Sequence, residues 1–451
     1  MNAPKVANAG GSLATNAKNG LQKAAGQTVE FAKNNSSMII TFLVLIVFVV
    51  CLYVGVNQWG SRSTANNVAV TTMDRKAIFD AKFSAEYKDK KSLKQATQDQ
   101  AVTDRENCLI NFQPLTVIHP GFLGPLQDGV FDERVGVTAA IRMGARCFIL
   151  PIDYHTKETM GPTFPAPNVP CLLYRDSGDT VRSINGGSIA KAAQAIADVA
   201  WSDIVSQRND PFILVLYFLR TPEQQTKAYL DFLSQVAVEL APLSPYLLGQ
   251  TPDGVYNRQA NQDKLLFVNT NQLEKKLLVF SNADTTGFRT ANRDFKHTYV
   301  PKEDLDYWVH LRIYKQNLDS SYGVTTTPEA SAMPRSFVES ISYFTSLPSD
   351  PTTKKNTTDS TKQKFTIALP KAEQTPPVKQ LETLLDTYGV QCVPLLLIDY
   401  TPEIQSALSK WKYAWRAKPK EIRYVRPEPI VVAAQNPIVN ARGGMISVPT
   451  T

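Results

Sequence analysis

One stretch of the chain differs in texture from everything around it. Residues 38–56 read MIITFLVLIVFVVCLYVGV, 19 positions without a charge. As a helix rising about 1.5 Å per residue they reach roughly 28 Å, close to the hydrocarbon thickness of a bilayer. Met38 and Val56 bound the run, and Trp59 follows at the depth favoured by interfacial aromatic residues. A secretory signal begins nearer the N-terminus, has a shorter apolar region and ends in small residues. Here 37 largely polar residues come first, and Asn57-Gln58-Trp59 is no cleavage site. The pattern predicts a single membrane-spanning helix over 38–56. The preceding segment, 1–37, is weakly basic: Lys5, Lys18, Lys23 and Lys33 stand against Glu30. That excess favours a cytosolic N-terminus.

Beyond the run, residues 57–110 are polar and mixed in charge, with Asp74, Arg75, Lys76, Asp80, Lys82 and Glu86 closely spaced. This predicts a solvated helical stalk. From Asn111 short apolar runs alternate with helical periodicity. LTVIH (115–119), ARCFILPID (145–153), CLLY (171–174) and PFILVLYFL (211–219) come first. KLLFVN (264–269), KKLLVFSN (275–282), WVHLRIY (308–314) and VQCVPLLLID (390–399) follow. The intervening VGVTAAIRMG and IAKAAQAIADVAWSDIV carry the helical period. Strands apolar on both faces, alternating with helices, indicate parallel βα units. About eight of them over about 310 residues fit a (β/α)8 TIM-like barrel across 111–425 better than an open doubly wound sheet.

Two segments break the rhythm. Residues 349–378 include PTTKKNTTDSTKQK, a polar low-complexity stretch expected as an exposed loop before the last βα unit. From Arg426 the chain loses all periodicity, so 426–451 reads as an extended arm ordered only against a partner.

Composition adds limits. Hydrophobic residues make up 43% and charged residues 20%, enough apolar surface for a core. The formal net charge of +7 is spread along the chain with the acids, unlike the basic stripe of a nucleic-acid binder. It suits contact with an anionic lipid surface. Cys51, Cys108, Cys147, Cys171 and Cys392 form no CxxC and no metal-ligand spacing. They read as reduced structural thiols, and neither a cofactor nor a metal is implied.

A βα barrel carries its chemistry at the C-terminal ends of its strands. His119 ends the first, Asp153 and His155 the second, and Arg175, Asp176 and Asp179 follow the third. These are the candidates for acid–base work, since histidine titrates near neutrality.

Around these residues the chain resembles the catalytic X domain of phosphatidylinositol-specific phospholipase C and its phosphodiesterase relatives. The matching stretches are Ile118-His119-Pro120, AAIRMGARCFILPID (139–153), Leu173-Tyr174-Arg175 and DPFILVLYFL (210–219), over about residues 111–220. The resemblance implies a barrel in which one histidine acts as base and a second as acid, with carboxylates and an asparagine holding calcium in eukaryotic members. His119 falls on the first histidine. Pro120 stands where the family has its asparagine, Ile149 and Pro151 where it has Glu and Asp, and Arg175 where it has the second histidine. Arginine stays charged and cannot act as a general acid at neutral pH, though it can hold an anion.

Two functional expectations follow. The first is a membrane-anchored structural protein whose degenerate barrel links a membrane to a shell or other assembly protein, partly through 426–451. It is similar in type to membrane-anchored minor capsid proteins of large icosahedral DNA viruses, which would place it in the internal membrane of a virion. The second is an active, metal-independent membrane-bound phosphodiesterase acting on phosphoinositide or glycerophosphodiester head groups. The partners expected are a lipid bilayer and an assembly protein, with no nucleic acid.

Overall fold

The computed structural model describes residues 36–84, 90–156, 160, 162–224, 226–249, 264–293, 299–300, 302–315, 336–371, 375–398, 401–428, 438–439 and 445–446. The chain divides into two compact units, Met1–Asn67 and Val68–Thr451.

Helix α1 (Ser36–Phe83) is 48 residues long and carries the apolar run. The described side chains on it from Met38 to Val54 are exposed, Phe42 at 65% and Tyr53 at 68%. Among the described residues no helix is long and apolar enough to cross a membrane. The expected span is therefore not shown as such; the side chains of Val56 and Trp59 lie outside the described residues. The solvated stalk needs correction. The last turns of α1 bury Phe79 and Phe83 in the second unit, their rings 4.7 Å apart. Leu93, Ala96, Cys108, Leu109 and Ile110 are buried there too. Dense charges disguised an apolar face with few but large members.

The second unit is an α/β barrel. Strand β1 (Thr116–Ile118) pairs in parallel with β2 (Cys147–Asp153), β2 with β3 (Phe212–Phe218), and β3 with β4 (Leu277–Ser281). β4 pairs with β5 (Leu311–Arg312). One residue on, β6 (Tyr314–Lys315) pairs with β7 (Ser336–Ser340), and β7 with β8 (Phe365–Leu369). A parallel bridge joins Ile367 to Cys392, and β9 (Leu395–Leu396) pairs in parallel with β1. Parallel pairing thus returns to the strand where it began. β2 and β3 are buried along their whole length because helices cover the outer face and side chains fill the inner one.

The covering helices follow from caps and spacing. α2 (Glu133–Arg142) starts where the Asp132 carboxylate accepts from Val135 N at 2.9 Å. α3 (Ile189–Ala200) is capped by Ser188 and buries Ile189, Ala192, Ala193, Ile196 and Val199, the spacing of one helical face. α4 (Lys227–Glu239) is capped by Thr226.

Three strand-level expectations are corrected. Residues 264–269 form no strand: Leu265 and Leu266 are buried in a helical turn, and Leu266 O accepts from Ile110 N at 3.0 Å. A short apolar run does not distinguish the two states by period alone. Cys171–Leu172 is a strand, but it pairs antiparallel with Ile152–Asp153 as an appendage to β2. The expected loop over 349–378 contains α5 (Pro351–Thr361), capped by the Asp350 carboxylate, and then the fully buried β8. Lys355 and Asp359 pair along α5 at 2.7 Å. A polar helix with one narrow buried edge (Thr358 and Thr361) has no hydrophobic period to read. The arm from Arg426 lies largely outside the described residues. Its start docks on Arg105, with Arg426 N donating to Arg105 O at 2.9 Å and Arg105 pairing with Glu428 at 2.8 Å. Farther on, Ile438–Val439 pairs antiparallel with Met445–Ile446.

Candidate functional site

The chain leaves β1 through a sharp turn. His119 has φ +51°, a left-handed conformation uncommon for a residue with a side chain. Its N–H donates to Ile149 O at 3.2 Å, and its carbonyl accepts from Phe122 N at 2.9 Å. The turn presses onto α2. A Cβ at Gly136 would lie 2.2 Å from Pro120 O, so only glycine permits this approach. The His119 ring is thereby directed into an aromatic cage, edge-on to Tyr174 at 5.4 Å and 6.5 Å from Phe131. Only 8% of His119 is exposed, and among the described residues its Nδ1 has no hydrogen-bond partner. Desolvation lowers its pKa to about 3, so the ring is neutral at pH 7.

β2 ends at Asp153, whose side chain is fully buried. The antiparallel return through Cys171–Leu172 carries Arg175 back over it, and Arg175 Nε donates to Asp153 Oδ2 at 2.5 Å. The other carboxylate oxygen accepts from Tyr154 N at 2.7 Å. A tight turn follows Arg175. Asp176 Oδ1 accepts from Gly178 N and Thr180 N, each at 2.9 Å, while Oδ2 meets Arg182 Nε at 2.5 Å. The hydrogen bond from Thr180 leads the causes that hold the Asp176 carboxyl below its usual range. Asp179 takes the left-handed position of this turn at φ +66°. Its carbonyl accepts from Arg175 Nη1 at 3.0 Å, and its carboxylate pairs with Arg220.

Between these segments lies a cavity of about 500 Å³. Its walls include Tyr154, His155 and Thr156 after β2, Arg175 and Thr180 of the turn, and Arg220. His155 Nε2 stands 2.7 Å from Pro165 O. Of the six sequence-derived candidates, His155, Arg175 and Asp179 line this cavity. His119, Asp153 and Asp176 do not. Arg220 escaped the sequence reading, although it stands two residues past β3, at the strand end where barrel chemistry gathers. Ile149 is buried beside Ile118 in the β1–β2 ladder, and Pro151 is buried beside Tyr217 in β3. Neither offers a side-chain oxygen. Among the described residues no group of three or more His, Cys, Asp or Glu side chains is arranged to hold a metal ion.

Solved structures of similar architecture include phospholipases C. PLC21 from L. pealei is 14% identical with a TM-score of 0.48, and covers 70% of this chain and 38% of its own. PLC21 from S. officinalis is 14% identical with a TM-score of 0.47, and covers 71% of this chain and 38% of its own. A calcium-dependent phosphoinositol-specific phospholipase C from Pseudomonas sp is 8% identical, with a TM-score of 0.41, covering 70% of this chain and 97% of its own. The chain thus spans well under half the length of the two PLC21 proteins. No protein-family model and no curated protein sequence matches it.

What the cavity offers chemically is hydrogen-bond donation. Among the described residues Arg175 uses Nε and Nη1 internally, and Arg220 uses Nη2. The remaining guanidinium N–H groups, with Thr156 and Thr180 beside them, suit an anionic oxygen. Both arginines already face a carboxylate, which leaves the field in the cavity close to neutral.

Proposed function

We propose that this protein is a membrane-anchored structural protein whose phospholipase-C-like, (β/α)8 TIM-like barrel is catalytically silent. In this reading the barrel is a docking body that keeps a pocket for an anionic group. The observation that carries the proposal is the fate of the two acid–base positions. His119 is walled off by Tyr174 and Phe131 and does not line the cavity. The position of the second histidine is Arg175, held against buried Asp153 at 2.5 Å. General acid–base catalysis needs groups that reach the substrate and exchange a proton near working pH. An arginine meets neither the pKa nor the freedom required, and a histidine titrating at about 3 is a poor base.

The anchor is α1. Its run from Met38 to Val54 is exposed and uncharged, an apolar surface far larger than a soluble monomer usually tolerates. A bilayer accounts for it, with Val56 and Trp59 at the interface. The arm over 426–451 and the outer face of the barrel then engage a shell or other assembly protein, as in minor capsid proteins of the internal membrane of a virion. Copurification tests this directly: the chain should occur in fixed stoichiometry with a shell protein in the membrane or particle fraction. Substoichiometric amounts together with turnover would favour a membrane-bound phosphodiesterase using His155.

A further inference from the structure

A second polar cavity lies on the other side of the barrel, away from Arg175. Along β7, Ser336, Val338 and Ser340 alternate with Phe337 and Glu339, so the latter two point outward to the covering helices. There Glu339 and Phe337 meet the helix Ile341–Ser346 and α5 around a space of about 200 Å³. Glu339, Lys364, Tyr343, Asn356 and Ser360 line it with Phe337. Glu339 is only 9% exposed. Among the described residues its carboxyl makes no hydrogen bond, and no ion pair within 4.0 Å links it to Lys364. A carboxyl on a largely buried residue that opens onto a cavity and meets no protein donor is free to take a ligand there. The Lys364 ammonium lies 4.9 Å from the centre of the Phe337 ring and likewise makes no ion pair among the described residues. The neighbouring hydroxyls of Thr357 and Thr361 are already committed, to Thr353 O at 2.9 Å and to Tyr388 O. The Tyr343 hydroxyl and the Asn356 amide make no side-chain hydrogen bond among the described residues.

We infer that this cavity binds a small zwitterion carrying an ammonium and a carboxylate, with the chemistry of a free amino acid. The carboxylate of Glu339 takes the ligand ammonium, and Lys364 takes the ligand carboxylate. Tyr343 and Asn356 supply the remaining polar contacts. Two opposite charges face one cavity without touching, so a ligand bearing both signs satisfies each where one sign satisfies half. A space of about 200 Å³ is several times the ~30 Å³ share of one water and smaller than a drug-sized site, which suits a molecule of about ten heavy atoms or fewer. Burial raises the Glu339 carboxyl to about 7, with Lys364 opposing, and an ammonium bound beside it would favour the ionised form.

The test uses the full chain in detergent. Glycine, L-serine and L-threonine are titrated against thermal unfolding and isothermal calorimetry, with acetate, ethylammonium and glycerol as matched probes. A saturable rise in Tm with at least one amino acid, at least tenfold tighter than acetate or ethylammonium, is the expected result. Glu339→Gln and Lys364→Met should each weaken that binding tenfold or more while the barrel stays folded by circular dichroism. Ser360→Ala, a smaller change on the same wall, keeps the test open should either charge variant misfold. Absence of binding by all three amino acids overturns the inference. So does equal binding of glycerol, or amino-acid binding that survives Glu339→Gln.

Discussion

The Asp153 carboxylate and the Arg175 guanidinium meet at 2.5 Å, with Asp153 fully buried and Arg175 14% exposed. They come from segments 22 residues apart, joined only because Cys171–Leu172 pairs back onto the end of β2. An ion pair so placed fixes the orientation of the cavity wall and removes Arg175 from any catalytic motion. Taking away one partner strands a buried charge, at a cost of about 3 kcal/mol or more. Asp153→Ala should therefore destabilise the barrel by about that much in denaturant unfolding. The double variant Asp153→Ala/Arg175→Met should recover more than half of the loss. Additive losses would mean that the pair is not coupled.

His119 sets a pH dependence. Its folded pKa is about 3, against 6.5 for an unperturbed histidine, because burial disfavours the imidazolium. The unfolded chain binds a proton there that the folded chain refuses. The associated stability is fully present above pH 6.5 and is lost as pH falls towards 3. The slope is at most about 1.4 kcal/mol per pH unit for one proton. His310 behaves likewise, with a folded pKa of about 4. Its ring is spoken for, accepting from Val279 N at 3.0 Å and lying 2.8 Å from Leu248 O. Comparing wild type with His119→Phe between pH 6.5 and 4.5 isolates the first residue. The variant should show the shallower slope, and parallel curves would contradict the burial argument.

Lys418 works in the same direction at higher pH. It is fully buried, donates to Thr361 O at 2.9 Å, and is lowered to about 7 by desolvation. Its contribution is present above the ordinary lysine pKa of 10.5 and is lost as pH falls through about 7. Thr361 O keeps a second donor, Gln391 Nε2 at 2.9 Å, so Lys418→Met leaves no orphaned carbonyl. The variant should gain on the wild type as pH drops from 9 to 7, measured by urea unfolding at each pH. A gain that does not change with pH would show that the amine stays charged throughout.

A membrane anchor at α1 would fix the topology of the chain. If α1 spans a bilayer, residues 1–37 and the barrel lie on opposite sides of it. In sealed vesicles protease should remove only one of two terminal tags. Loss of both tags from intact vesicles, or release of the chain by alkaline carbonate, would contradict a spanning helix.

The barrel was legible where the pattern was strongest. The runs around Val117, Phe148, Leu214, Val279 and Leu395 all became parallel strands because each is apolar on both faces. β7 was missed because Ser336, Glu339 and Ser340 interrupt its apolar residues, although the strand is almost wholly buried. β8 was missed because it follows the polar α5 without a turn signal to separate them. The strand at Cys171 was recognised as a strand, but its antiparallel return depends on a contact that no local pattern encodes. The same holds for the site. His155 and Arg175 stand near strand ends in the sequence, and the fold brings both to one cavity. The burial of His119 depends on Gly136 allowing the turn to press inward and on Tyr174 closing over the ring.

The most direct measurement is turnover by the full chain reconstituted in vesicles, assayed on phosphatidylinositol and on glycerophosphodiesters, with calcium and with chelator. A silent barrel gives no hydrolysis above the protein-free rate under either condition, and no difference between wild type, His119→Ala and His155→Ala. Hydrolysis by the wild type that disappears in His119→Ala or His155→Ala would contradict the silent barrel and make the cavity beside Arg175 an active site.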